Sequence, residues 1–427
     1  METVFLGFNL HAWITIVTVL AVFSTLLFTK MRADLVFLGA IGVLFVTGVL
    51  KASDAFSGFS DTSVIVVGVL FIVVAGLMQT GVMQWIVRHL MGQPKSYPKA
   101  IVRLMLPVAA LSAFLSNTTV VAMFVGVVKM WAKKLNIAPS KLLIPLSYAS
   151  GMGGICTLVG TPPNLIISGL YTSKTGEVMN VLSPTIPGLF CLAVGILSVI
   201  AMRKLLPERI APESHLEEAV NSEEVAKVGF KTFLSAAIMV AMVVLSALNV
   251  LSLLQCAFLA AAATLVCRCC TTDQAMDAIE WDILLIFAGS VALGLAIQDT
   301  GIAERLAKGI LNICGTNPIV VMAAVCLVAT FITEFISNTA AGAMFFPIMF
   351  EAAKHLGYEP FPFMIALMIA VSSSFATPIG SPTHMLVYGP GGYRFSDFIR
   401  IGVPMNLIIL AANIFIVWLV CPLTPLH

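Results

Sequence analysis

The feature that most constrains this chain is a Ser-Asn-Thr motif that occurs twice in apolar surroundings, at residues 116–118 and again at 337–339. Each copy is followed by a segment interrupted by glycine and proline, Gly160 to Asn164 after the first and Gly380 to His384 after the second. Helix-breaking residues beside hydroxyl and amide side chains, placed twice in hydrophobic runs, are typical of a transport site built from broken membrane helices.

The composition supports a membrane protein. The chain has 427 residues, of which 59% are hydrophobic and 10% are charged, whereas a soluble domain has about 25% charged residues. No stretch is polar enough for a sizeable soluble domain, and no His, Cys or Asp cluster has catalytic spacing, so an enzyme is not expected. The net charge of +2 gives no indication of a nucleic-acid partner. We expect a multi-pass protein in the lipid bilayer, in a bacterial inner (plasma) membrane.

The apolar runs repeat in the same order in two halves. The first half is residues 1–206 and the second is 232–427, with a polar linker at 207–231 between them. Matching motifs are displaced by 220 or 221 residues throughout, as Ser112 to Thr118 matches Thr333 to Thr339. Spans of about 20 apolar residues are predicted at 12–29, 33–50, 61–80, 185–205, 232–249, 251–267, 281–298 and 402–421, with amphipathic pieces at 83–92 and 302–314, hairpins at 99–130 and 317–350, and broken helices at 140–170 and 361–388.

The number of spans and the positions of the basic residues predict the topology. Basic residues at both ends of 99–130 indicate a re-entrant hairpin rather than a crossing. Five crossings and one hairpin in each half make the two repeats inverted relative to each other. An outside N-terminus puts 18 of the 23 Lys and Arg residues on the cytoplasmic side, as the positive-inside rule requires. The fold class is therefore an all-α polytopic membrane protein with two inverted-topology repeats and a cytoplasmic linker.

The breaks have a predictable chemistry. Unpaired backbone groups in hydrocarbon cost several kcal/mol each, so non-helical chain at membrane depth must be buried or line an aqueous cavity. Helix N-termini at the hairpin tips favour an anion, and carbonyl, hydroxyl and amide oxygens at the breaks suit sodium. The sequence therefore predicts an anion between the tips with sodium ions behind it. A divalent anion needs more than two sodium ions if the membrane potential is to drive its uptake.

Some residues allow two interpretations. Glu334 could couple protons or tune a cation site, but we favour a position at the aqueous mouth. His384 stands where the first half has Asn164 and could be a pH-sensitive substitute or a simple hydrogen-bonding residue. The cluster Cys267–Cys270 could bind a metal or carry an acyl group, but packing at a helix end is the favoured interpretation.

These motifs resemble a known family. The two Ser-Asn-Thr hairpins, Gly160-Thr161-Pro162-Pro163-Asn164, and the segment from Phe375 to Gly380 resemble the divalent anion/sodium symporters (DASS) of the ion transporter superfamily over nearly the whole chain. The resemblance implies two sodium sites, with carbonyl ligands from the two glycines, and one anion site. The implied sodium ligands are Ser112, Ser116, Asn117 and Gly160 in the first site and Thr333, Ser337, Asn338 and Gly380 in the second. The implied anion contacts are Asn117, Thr118, Asn338, Thr339, Ser381 and Pro382.

The resemblance has further implications, and the sequence departs from the family pattern at two points. Ser381 stands where many members of the family have Thr. Thr383-His384 replaces the family's usual Pro-Asn, which leaves the substrate open. The segment from Tyr388 to Phe395 is similar to a branch that often carries RCK-type cytoplasmic domains and includes members associated with sulfate, although the linker here is too short for such domains. The family also implies a homodimer and an elevator-type motion.

The predicted function is sodium-coupled symport of a divalent anion, either a sulfate-like oxyanion or a C4-dicarboxylate, with Na⁺ as the co-transported ion and no organic cofactor. A sodium/proton antiporter or an arsenite-type metalloid permease on the same scaffold is the alternative. Membrane-embedded acids near the hairpin tips would favour the antiporter, and Glu334 is the one candidate. A membrane enzyme or receptor is the remaining alternative, without a supporting motif.

Overall fold

The computed structural model describes residues 9–29, 31–81, 94, 96–209, 229–248, 250–279, 281–302, 305, 309, 312–378 and 380–425. Regular structure in these residues is almost entirely helical, so the predicted all-α class is confirmed. The amphipathic piece predicted at 83–92 lies outside the described residues, as do most of the linker predicted at 207–231 and much of the piece predicted at 302–314.

The α-helices in chain order are α1 (Leu10–Phe28), α2 (Ala33–Val46), α3 (Ala52–Ala55), α4 (Thr62–Gln79), α5 (Tyr97–Ser112), α6 (Asn117–Lys134), α7 (Ser140–Gly154), α8 (Pro162–Thr175), α9 (Thr185–Ala201), α10 (Phe230–Ala247), α11 (Leu253–Val266), α12 (Thr272–Asp277), α13 (Trp281–Asp299), α14 (Pro318–Ile332), α15 (Asn338–His355), α16 (Phe361–Val371), α17 (Pro382–Tyr388) and α18 (Phe395–Val420). A short 3₁₀ helix, Ser57–Ser60, precedes α4.

Two described helical stretches, Thr185–Lys204 and Phe395–Val420, are long and apolar enough to cross a membrane by themselves. Other apolar helices have apolar cores of 10 to 17 residues, below the roughly 20 residues of an untilted span. The predicted ten crossings and their inverted orientation therefore stay predictions.

Each predicted hairpin and broken helix is divided by a non-helical segment at its motif. Residues 113–116 separate α5 from α6, and 333–337 separate α14 from α15; residues 155–161 and, in the second half, 372–378 with 380–381 interrupt the other two segments. Proline begins α8 and α17, because the first helical position needs no backbone N–H. The residues before these prolines have nearly the same conformation, with φ −148° and ψ 139° at Thr161 and φ −145° and ψ 141° at Ser381. The two breaks therefore share this local backbone geometry.

Helix α16 lies at the centre of the core. Its residues from Pro362 to Val371 are all buried, as expected for a helix that is apolar all round. The helix ends before Ser372-Ser373-Ser374, because serine hydroxyls compete for backbone groups and favour helix ends.

The two halves of the chain pack against each other reciprocally around the breaks. Helix α6, from the first hairpin, contacts α17, which follows the second break; α15, from the second hairpin, contacts α8, which follows the first break. Within each half, α5 packs on α7 and α14 packs on α16. Each hairpin is therefore braced by both halves of the chain.

The cysteine cluster lies at the end of α11. Cys269 and Cys270 are buried, and this burial raises the pKa of both thiols. A raised pKa favours the neutral thiol over the thiolate that binds metals. This environment supports packing as the role of these two residues.

Candidate functional site

Both Ser-Asn-Thr motifs line one cavity of about 290 Å³. Residues 161–163 and 381–383, at the restart of the two broken helices, line the same cavity. Most of its wall therefore consists of four short segments from the four helix breaks. The rest of the wall is formed by Arg32, Asp34, Ile283 and Ile286.

Helix N-termini surround this cavity. Asn117 and Asn338 begin helices of 18 residues, and Pro162 begins one of 14 residues. The first N–H groups of a helix have no intrahelical acceptor, and the helix dipole makes that end partly positive. The ends at Asn117 and Asn338 present such N–H groups, whereas Pro162 and Pro163 have none and α8 contributes mainly its dipole. Together the three ends favour a negatively charged ligand.

All six predicted anion contacts lie on this cavity. They come from both hairpin tips and from the start of α17, so the fold brings together residues that are far apart in sequence. Their role as anion ligands stays a prediction. The six are Asn117, Thr118, Asn338, Thr339, Ser381 and Pro382.

Behind the first tip, the predicted sodium ligands lie in a cluster of oxygen atoms. A β-carbon on Gly160 would lie 2.5 Å from the carbonyl oxygen of Gly154 and 2.7 Å from that of Ser112, so only glycine fits there. The Ser112 hydroxyl is 2.8 Å from the Ser150 hydroxyl. Asn117 Oδ1 is buried and has no hydrogen-bond partner among the residues that the structure describes. Crowded oxygens that include an unsatisfied acceptor suit a hard cation, which binds through oxygen ligands.

Behind the second tip, the corresponding oxygens are already joined by hydrogen bonds. Thr333 Oγ1 is 2.7 Å from Asn338 Oδ1. The Ser374 hydroxyl lies 3.1 Å from the same Oδ1 and 3.0 Å from the Gly380 carbonyl oxygen. The remaining predicted ligand, Ser337, accepts the backbone N–H of Ala340 at 3.2 Å and so caps α15. The predicted ligands of both sites are therefore close together, but only the second set is bonded internally through its Asn side chain.

A matching threonine joins each tip to its break. Thr157 donates its hydroxyl to the carbonyl of Ala113 and accepts the N–H of Gly160 at 3.1 Å. In the second half, Thr377 donates to the Glu334 carbonyl at 2.8 Å and accepts the N–H of Gly380 at 2.9 Å. This repeated pair of bonds fixes the carbonyl-bearing glycine beside the hairpin tip.

The prediction that Glu334 faces an aqueous mouth is wrong. The residue is 4% exposed, and its carboxylate accepts the backbone N–H groups of Ala376 and Thr377, both at 2.8 Å. It also accepts the Asn406 amide at 2.6 Å. The broken backbone leaves N–H donors without helical acceptors, and a buried carboxylate satisfies them.

His384 connects the second break to a helix of the first half through hydrogen bonds. It is buried, with Nδ1 2.6 Å from the Ser147 hydroxyl and Nε2 2.8 Å from the Ser374 carbonyl oxygen. Because a carbonyl only accepts, Nε2 carries the proton in this bond. Its counterpart Asn164 donates to the Thr157 carbonyl at 2.8 Å. Both side chains therefore bond to the backbone of a break. His384 bonds to Ser374, whose hydroxyl contacts Asn338 Oδ1.

Several residues of the site were not predicted. Ser374 could have been found from the run of three serines between an apolar segment and Pro378, and Asn406 from its isolated position in an apolar helix. Ser150, Arg32 and Asp34 have no local motif, since their place at or behind the cavity depends on long-range packing.

Comparison with known proteins identifies the family. Residues 19–310 and 291–425 match the CitMHS family model, which is described as a citrate transporter. The chain belongs to this family of citrate transporters. The predicted kinship with DASS-type anion transporters is thereby confirmed, and the protein is an integral membrane transporter rather than an enzyme.

Curated relatives are also transporters. The chain is 25% identical to the uncharacterized transporter YfbS of Escherichia coli (strain K12), with 96% of this chain and 99% of the relative covered. Sodium/sulfate cotransporter 1 of Chlamydomonas reinhardtii is 36% identical over 38% of this chain and 19% of that protein. The sodium-dependent dicarboxylate transporter SdcS of Staphylococcus saprophyticus is 25% identical over 74% of this chain and 68% of that protein.

Solved structures share the fold. MtrF of Neisseria gonorrhoeae, described as illuminating a class of antimetabolite efflux pumps, aligns with a TM-score of 0.64 and 15% identity, covering 95% of this chain and 94% of that chain. The YdaH transporter of Alcanivorax borkumensis aligns with a TM-score of 0.63 and 14% identity over 96% of this chain and 97% of that one. At these identities the likeness concerns the fold alone.

Proposed function

We propose that the protein is a sodium-coupled symporter of a small divalent anion, either a sulfate-like oxyanion or a C4-dicarboxylate. The observation that carries the proposal is the shared cavity, which has both Ser-Asn-Thr motifs on its wall and an oxygen cluster behind each tip. The anion would occupy the cavity among the helix N-termini, and sodium would bind at the oxygen clusters. Named sodium/sulfate and sodium-dependent dicarboxylate relatives support this substrate class.

Coupling follows from the position of Asn117 and Asn338. Each begins a helix whose N-terminus lies on the cavity. The side-chain oxygen of each lies near other predicted sodium ligands behind the hairpin tip. Sodium at these oxygens would fix the tip, and the ordered tip would then present its N–H groups to the anion. Binding of either solute would thereby stabilise the site for the other, as reciprocal coupling requires.

The alternative is a sodium/proton antiporter, which the buried carboxylate of Glu334 would support. Among the described residues, Glu334 is not one of those that line the cavity. Its carboxylate already accepts hydrogen bonds from three donors. A group that caps backbone N–H donors suits a structural role better than a proton relay. An assay of pH-gradient dissipation by sodium without added anion distinguishes the two, since only the antiporter responds.

We further propose that the protein works as a homodimer with an elevator-type motion. The hairpin tips and breaks form one part of the cavity wall, and α2 and α13 contribute the other. Movement of the first part against the second would carry the bound solutes across the bilayer.

The test is uptake of radiolabelled sulfate and succinate by proteoliposomes under an inward sodium gradient. We expect one of the two anions to accumulate with sodium outside and to stay at the level of empty liposomes with potassium outside. Accumulation that is equal in both salts would refute sodium coupling, and transport of neither anion in sodium would refute the substrate class.

A further inference from the structure

We propose that Arg32 is an additional anion-contact and specificity residue, supplied to the cavity from outside the hairpin tips and helix breaks; this inference rests on the proposed anion transport. Arg32 immediately precedes α2, whereas the predicted anion contacts lie at the hairpin tips and at the start of α17. Among the described residues on the cavity wall, Arg32 and Asp34 are the charged ones. A dianion in this cavity would therefore meet one full positive charge, and that charge is Arg32.

The pair with Asp34 fixes the guanidinium without using all its donors. Arg32 Nε is 3.1 Å from Asp34 Oδ1, and Nη2 is 2.9 Å from Oδ2. This side-on bidentate pairing involves two of the five N–H donors of a guanidinium. The remaining donors lie on Nη1 and the outer edge of Nη2, where they form the planar fork that suits carboxylate and sulfate oxygens.

Both members of the pair line the cavity, but their side chains differ in solvent exposure. The Arg32 side chain is 69% exposed, whereas the Asp34 side chain is 4% exposed. An entering anion therefore has far more of the cation than of the carboxylate to contact. Asp34 is a positioning residue, because its carboxylate orients the Arg32 guanidinium. The charge of Arg32 in turn compensates that of Asp34.

Substitution of Arg32 alone would leave Asp34 as a buried, uncompensated carboxylate, which destabilises a protein. The informative variant is therefore the double substitution Arg32→Gln/Asp34→Asn, which removes both charges and keeps two hydrogen-bonding side chains. Asp34→Asn alone keeps the cation and removes the nearby negative charge. Arg203→Gln is the matched control, because Arg203 is an exposed arginine outside the cavity wall.

The experiment measures the Kd of sulfate and succinate for the purified full-length protein in sodium chloride by calorimetry, with unfolding temperatures recorded for each ligand-free variant. We expect the double variant to bind the preferred anion about tenfold more weakly, because one charge-assisted contact is lost, and to show a weaker dependence of Kd on ionic strength. Asp34→Asn should bind at least as tightly as the wild type, and Arg203→Gln should match it.

The outcomes separate this inference from the proposed function. If the wild type binds an anion and the double variant has the same Kd, Arg32 makes no contact and the inference is wrong while the proposed function stands. If the wild type binds neither anion in sodium, both fail. A binding loss in Arg203→Gln equal to that of the double variant would also overturn the inference, since it would show a general effect of charge.

Discussion

The two half-sites use the same backbone design with different side-chain support. In both, a threonine joins the hairpin tip to a glycine of the break. In the first half the tip asparagine, Asn117, keeps an unsatisfied oxygen in a cluster of carbonyls. In the second half, Asn338 accepts hydroxyl groups, and the buried Glu334 carboxylate caps the broken chain. The first site is thus open for a cation, whereas the second is stabilised by its own hydrogen bonds.

This difference has a physical consequence. An unsatisfied buried acceptor is unfavourable until a ligand satisfies it, so the first site gains more from sodium than the second. The second site depends less on sodium for its structure because Glu334 and Ser374 already connect the tip to the break, Ser374 through Asn338. Sodium binding should therefore order the first half-site more than the second, and the variants below test that asymmetry.

The largest expected effect is that of alanine at the two carbonyl-bearing glycines. A β-carbon on Gly160 would meet the backbone carbonyl of Gly154 at 2.5 Å, whereas one on Gly380 would meet the Glu334 side chain at 2.9 Å. We expect Gly160→Ala to reduce sodium-driven uptake to the level of empty liposomes, and Gly380→Ala to retain a measurable fraction because a side chain can move. The control is Gly151→Ala, whose added carbon would lie 3.5 Å from the nearest atom, on the Phe375 ring. Equal loss in all three variants would contradict the assignment.

The next effect concerns the two tip asparagines. Asn117→Ala and Asn338→Ala should both abolish transport, but only the second should lower stability in sodium-free buffer. Removal of Asn338 Oδ1 takes one acceptor from Thr333 and Ser374, whose hydroxyls keep the carbonyls of Val371 and Gly380. The cost should be that of a typical hydrogen bond, about 0.5–1.5 kcal/mol, while Asn117 Oδ1 has no such bond among the described residues. Thermal unfolding with and without sodium provides the measurement. Equal destabilisation of both variants without sodium would remove the proposed asymmetry.

A smaller effect is expected from Glu334→Gln. An amide in place of the carboxylate turns a donor toward backbone N–H groups, so the variant should lose about 1–3 kcal/mol of stability. Glu208→Gln is the control, because Glu208 forms an exposed pair with Lys141 and such pairs contribute about 0–1 kcal/mol. Denaturant unfolding in detergent compares the two, and an unchanged stability of Glu334→Gln would show that the carboxylate does not support the break.

The smallest effect is that of His384→Asn, which makes the second break more like the first. One bond to the Ser374 carbonyl would be lost or lengthened, and a typical hydrogen bond contributes about 0.5–1.5 kcal/mol. We expect folding and transport to persist, with the sodium concentration for half-maximal uptake raised about two- to tenfold. Full loss of transport would assign His384 a direct part in substrate binding.

The sequence predicted the four helix breaks because each has a local mark: the Ser-Asn-Thr motif at the two hairpin tips, and Gly and Pro at the two broken helices. It also predicted the all-α class, since apolar runs dominate the chain. It did not predict that hairpins of one half would pack on broken helices of the other, because such pairing depends on contacts between distant residues. Glu334 was misplaced for the same reason: its partners Ala376 and Asn406 are distant in sequence.

The helices also differ from their predicted extents. Hydropathy predicted full spans at 33–50 and 251–267, but α2 ends at Val46 and α11 begins at Leu253. Gly48 has φ of 74°, a left-handed conformation that ends a helix. A hydropathy window averages over such a residue and cannot detect the local end of a helix.

The most direct test of the central claim, that one cavity between the two half-sites binds an anion together with sodium, is equilibrium binding to the purified protein. Radiolabelled sulfate and succinate are titrated in sodium chloride and in equimolar potassium chloride. We expect saturable binding of one anion in sodium and a loss of that binding both in potassium and in Asn117→Ala. Equal affinity in the two salts, or unchanged sodium-dependent binding in Asn117→Ala, would contradict it.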